Sequence, residues 1–171
     1  MKQLVKALSL AIVMFALSLS AHAQVSETAT ASATIITPIA IANATDMDFG
    51  NIAVIATGGT VVLAPDGSRS VTGDVTLPAV SGTVTAATFD VTGESNFTYS
   101  ITLPAGTITI TNGTDNMTVG TWTSDPTTGA GGTLDAGGAQ TLSVGATLNV
   151  AGGESSGAYT GGPFTVTVNY N

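Results

Sequence analysis

The chain has 171 residues, no cysteine and a formal net charge of −8, with three basic side chains against eleven acids. Lys2, Lys6 and His22 all fall within the first 23 residues, so Arg69 is the single basic group beyond them and the remainder carries a formal charge of −10. This inventory excludes thiol, Schiff-base and imidazole chemistry, the usual nitrogen- and sulfur-ligated zinc centre, and the row of phosphate contacts that nucleic acid requires.

In chain order, the first element is an export segment. Lys2 and Lys6 form a positive start, "LSLAIVMFALSL" is apolar, and "AHA" at residues 21–23 is a small-x-small cleavage pattern. The apolar run is shorter than the ~20 residues of a membrane span, so residues 1–23 are expected to be a removable signal peptide. Removing 23 of the 171 residues leaves 148, enough for one domain with one core. No later stretch is apolar enough to cross a membrane as a helix. An exported chain without cysteine must be held by packing and hydrogen bonds rather than disulfides.

No convincing helical period follows. Threonine, valine, alanine and glycine dominate, and apolar residues alternate with polar ones over short runs bounded by turn formers. "TATASATII" over residues 28–36 alternates alanine with hydroxyl residues and predicts a strand. "PIAIAN" continues it beyond Pro38, which breaks a ladder or marks an edge. "TVVLAPDGSRSVTG" predicts a hairpin turning at Pro65, Asp66 and Gly67. "TFDVTG" and "NFTYSITLP" predict two more strands joined at "GESN", with Phe97, Tyr99, Ile101 and Leu103 on one face. "GTITITNG" and "NMTVGTWTS" pair across Asn112-Gly113. "SDPTTGAGG" over residues 124–132 reads as a loop, and "QTLSVGATLNVAG" and "FTVTVNYN" complete the chain. The count is roughly nine or ten short strands at spacings of about 8–12 residues, which predicts an all-β, mostly antiparallel sandwich over residues 24–171.

Candidate chemistry is sparse. In "DMDFGN", Asp46 and Asp48 alternate onto one side, but calcium needs about six to eight oxygen ligands. A polar strand entry with Phe49 turned inward and Gly50 permitting a bend explains the same residues. The "DFG" tripeptide lacks the lysine and catalytic loop of a kinase. The other carboxylates sit mainly beside glycine, serine or proline, where turn chemistry accounts for them. Two carboxylates alone could hydrolyse a glycosidic bond, yet the chain has one tryptophan, Trp122, to line a sugar groove. Asn-x-Ser/Thr triplets at Asn43, Asn96, Asn112 and Asn116 are incidental to a threonine-rich sequence. No enzyme, cofactor or metal is expected.

The last strand is the most informative element. Phe164, Val166, Val168 and Tyr170 share one face, with Thr165, Thr167 and Asn169 opposite. Such a strand needs its apolar face buried and its edges paired or protected. It closes a self-contained sandwich, or it takes part in assembly by strand addition, with those four residues as the anchors. An outer-membrane barrel also ends in an amphipathic strand, but most strands here are too short and lack aromatic girdles.

"LDAGGAQTLSVGATLNVAGGESSGAYTGGPFTVTVNYN", with "DFGNI" and "AATFDVTGESNFTYSITLP" upstream, resembles the bacterial domain-of-unknown-function 4402 family, which is similar in pattern to spore-coat protein U-like and fimbrial subunits. The resemblance implies an immunoglobulin-like sandwich, export with a periplasmic chaperone, and homo-oligomeric or fimbria-like partners. It also sets two departures: no cysteine pair, and few residues before "TATASATII", which could itself act as a donor strand. The expected role is a secreted structural or adhesive subunit of a surface fibre or coat. The alternative is a monomeric carbohydrate- or surface-binding module using loops near Trp122 and Tyr159.

Overall fold

The computed structural model describes residues 24–171; the signal peptide expected over residues 1–23 lies outside the described residues. Residues 24–35 are strand-free and exposed, with Ile35 98% exposed. The strand predicted over residues 28–36 is therefore not formed. Its apolar face is three alanines and one isoleucine, and alanine buries too little surface to offset the entropy of ordering an edge strand.

Ile36–Asn171 form one compact unit with, among the described residues, ten strands and no helix: β1 (Ala40–Thr45), β2 (Ala53–Leu63), β3 (Arg69–Thr76), β4 (Ala87–Thr92), β5 (Thr98–Thr102), β6 (Ile108–Thr111), β7 (Asn116–Asp125), β8 (Gly132–Thr133), β9 (Ala139–Val150) and β10 (Thr167–Tyr170). All pairings are antiparallel, in a seven-stranded and a three-stranded sheet. No helix among the described residues is long and apolar enough to cross a membrane.

The two predicted hairpins form. β2 and β3 meet at a turn where the Gly67 N–H donates to Ala64 O and the Ser68 N–H to Asp66 Oδ1, both at 2.9 Å. β6 and β7 turn at Asn112, whose Oδ1 accepts the Thr114 and Asp115 N–H groups. The "GESN" junction is different. It carries the chain from β4 in the large sheet to β5 in the small one, so these neighbours in sequence face each other across the core instead of pairing.

β9 organises the large sheet. Its residues Ser143 and Val144 pair with both β4 and β7, and Thr147, Leu148 and Asn149 pair with both β2 and β7. A strand has two edges, so β7 occupies one while β4 and β2 lie end to end along the other. The changeover falls at Gly145, where a Cβ would strike the Leu63 carbonyl. Only glycine lets the end of β2 approach that closely.

The inward residues of β9 serve two cores. Leu142 and Val144 join Ala87, Phe89 and Val91 of β4 against Tyr99 and Ile101 of β5 and Val166 and Val168. This is the sandwich interior between the two sheets. Ala146, Leu148 and Val150 join Val61, Leu63, Val75 and Val119 under Phe49. Each buried valine, leucine, isoleucine or phenylalanine among them contributes about 1.5–3 kcal/mol by leaving water.

Candidate assembly edge

β10 is short, and among the described residues it pairs with β5 alone. It pairs with β5 in the register Thr167 with Thr102, Val168 with Ile101, Asn169 with Ser100 and Tyr170 with Tyr99. Beyond the ladder, the Asn171 N–H donates to Thr98 O. Main-chain groups alternate sides along a strand, so Thr167 and Asn169 also direct theirs at β5. Val168 and Tyr170 direct their N–H and C=O groups the other way, and among the described residues no strand pairs with that edge.

The four residues singled out in the sequence do lie together, and their side chains are used within the chain. Val166 and Val168 are buried in the sandwich core. Phe164 precedes β10 and stacks at 4.6 Å on Trp122, with an edge contact to Phe89 at 6.2 Å. Tyr170 is half-buried, edge-on to Phe97 at 5.7 Å. The open groups of this element are its main-chain amides, which an apolar alternation cannot name. They emerge only from strand order and hydrogen-bond parity.

The sequence reading missed a clasp beside this edge. The Tyr170 hydroxyl donates to Thr37 O at 2.8 Å and accepts the Glu94 N–H at 2.6 Å. Glu94 in turn accepts the Thr37 N–H on Oε2 at 2.8 Å. That bond favours the charged carboxylate and holds Glu94 below its ordinary pKa. Gly93 leaves room beneath it: a Cβ there would meet the Tyr170 hydroxyl and push it from its place. Thr37, ahead of β1, is thus tied to the same residue that ends β10. Chain separation hid this in the sequence: Thr37 and Tyr170 are 133 positions apart.

Other sequence candidates fall elsewhere. Asp48 accepts the Gly50 N–H at 2.7 Å and bridges Thr85, while Asp46 accepts from Asn43. Phe49 is buried and Gly50 has φ +68°, as the strand-entry reading expects. Among the described residues no three His, Cys, Asp or Glu side chains group to hold a metal ion. Arg69 donates to the carbonyls of Phe49 and Asn51, fixing the same loop. Tyr159 bonds Glu154 and Ser155 in its own loop.

A family model described as Domain of unknown function (DUF4402) matches residues 39–170, which span β1 to β10. No curated protein and no solved structure matches the chain.

Proposed function

Because the chain belongs to the family Domain of unknown function (DUF4402), whose description assigns no activity, we propose a role from the geometry: a secreted structural subunit of a surface fibre or coat that joins other copies by strand addition at the open edge of β10. The observation that carries it is that, among the described residues, no strand pairs with the Val168 and Tyr170 main-chain groups, on a strand whose side chains are already anchored in the core. Strand addition draws affinity from main-chain bonds and specificity from alternate side chains. An edge without a paired strand is a liability in an isolated protein.

The complementary strand is residues 28–36 of a second copy. They alternate alanine and isoleucine with hydroxyl residues, carry no charge, and are exposed without a strand partner. Ordered on β10, they would gain main-chain hydrogen bonds to the Val168 and Tyr170 groups, and these bonds rather than alanine burial would supply the affinity. A periplasmic chaperone would cover the edge before assembly. An immunoglobulin-like strand arrangement and kinship with spore-coat and fimbrial subunits belong to the same reading.

The test is direct. Light scattering and electron microscopy of the purified protein are expected to show oligomers or filaments. Deleting residues 24–36 leaves a folded monomer, and a peptide of residues 28–36 then slows hydrogen exchange at Val168 and Tyr170. A parent chain that stays monomeric, with a peptide that leaves those amides unchanged, refutes the reading.

A further inference from the structure

A second feature lies at the other end of β5 and is independent of the edge. β7 bulges between its pairings Gly120 with Thr147 and Thr123 with Gly145, advancing three residues while β9 advances two. Within the bulge Thr121 has φ +49°, a backbone conformation that β-branched residues rarely adopt. Bulges of this kind re-aim side chains and gather at binding sites. The side chain re-aimed here is Trp122. Its Nε1–H donates to Gly106 O at 2.8 Å and its ring lies tilted at 34° on Phe164, so the indole is held in one pose.

Trp122 lines an open groove of about 480 Å³, within the range of small-molecule sites, roughly 300–1,000 Å³. Leu103 and Pro104 add apolar surface, and Thr102, Thr107, Thr121 and Thr128 add hydroxyls. No charged residue lines it. The four threonines are exposed. Such a lining offers no counter-charge for a phosphate or an ammonium group, and the net negative charge of the chain repels anions. It suits a ligand that is uncharged, presents a C–H face to an aromatic ring, and carries hydroxyls around its rim.

We propose that this groove binds a ring of a neutral oligosaccharide, with Trp122 as the platform and the threonine hydroxyls as rim contacts. The bulge turns Trp122 inward onto Phe164 and so fixes the indole where it lines the groove, with Thr121 beside it in the lining.

Trp122 is the single tryptophan of the chain, so its fluorescence reads this groove alone. Neutral hexasaccharides of glucose, N-acetylglucosamine, mannose and galactose are titrated separately into the purified protein. At least one is expected to give a saturable shift. The double variant Thr102→Ala, Thr128→Ala, altered at two exposed positions, is expected to bind about tenfold more weakly with an unchanged unfolding midpoint. Calorimetry on Trp122→Phe, which keeps an aromatic ring beside Phe164, is expected to show the larger loss. No saturable response to any of the four, or undiminished binding by both variants, overturns the proposal. Neither result depends on whether chains assemble.

Discussion

Tyr170 and Thr37 are joined by a hydrogen bond from the phenol to the main-chain carbonyl at 2.8 Å. The same oxygen accepts the partly buried Glu94 N–H. Tyr170→Phe keeps the ring against Phe97 and removes both bonds, leaving the Glu94 N–H without its partner. The expected cost is about 1–3 kcal/mol, read as a lower urea midpoint with an unchanged slope. Proteolysis at the segment before β1 should quicken in the same variant.

Glu94 gives the clasp a pH dependence. The Thr37 N–H holds its carboxylate below the ordinary value of 4.5. As pH falls, the unfolded chain takes up this proton before the folded chain does. The contribution is present above 4.5 and is lost as pH drops through the folded value. Glu94→Gln should therefore flatten the acid limb of the stability curve, measured as urea midpoints between about pH 6 and about pH 3.

Tyr99 anchors the centre of β5. It is fully buried, and its hydroxyl donates to Gln140 Oε1 at 2.9 Å, an oxygen that also accepts the Thr133 N–H. Tyr99→Phe should cost about 1 kcal/mol for one hydrogen bond. Tyr99→Ala should cost about 3–5 kcal/mol by opening a cavity between the sheets. Burial pushes the phenol above its ordinary 10.0. The folded chain keeps this proton after the unfolded chain has lost it, so stability should fall as pH rises past 10.0, and less so in Tyr99→Phe.

Gly145 marks the changeover from β4 to β2 along β9. A methyl group there meets the Leu63 carbonyl and the Ala64 backbone, neither of which can swing aside as a side chain would. Gly145→Ala should destabilise the fold by about 1–3 kcal/mol or more. Gly129, with nothing near its missing Cβ, is the control, and Gly129→Ala should leave the thermal midpoint unchanged.

Hydrogen exchange should resolve β10 residue by residue. In the isolated subunit the amides of Thr167 and Asn169, which face β5, should exchange slowly, and those of Val168 and Tyr170 quickly. A two-residue alternation of this kind is a direct reading of the open edge. Uniform protection along β10 would show that the edge is already covered.

Much of the fold was legible because alternation, turn residues and strand propensity are local. "APDGS" at residues 64–68 specifies a turn through proline and glycine geometry, and it sits where β2 meets β3. Val166 and Val168 were recognisable as inward because nothing interrupts their period. Trp122 shows the limit. Counting alternately from Met117 and Val119 would turn it to solvent, whereas the bulge at Gly120–Thr123 shifts the parity and sets it on Phe164. Residues 28–36 show the opposite error: their period is that of a strand, but a strand also needs a neighbour, and propensity does not supply one.

By itself, the sequence determined the chemistry this chain can offer and the ribbons it is made of, because side-chain identity and two-residue periodicity are properties of short stretches. Only the tertiary structure decided which ribbon faces which, that β9 serves two cores, that Tyr170 reaches Thr37, and that among the described residues no strand pairs with the amides of Val168 and Tyr170. The physical reason is that main-chain donors and acceptors are identical at nearly every residue, so their partners are fixed by strand order across the folded chain rather than by any local code.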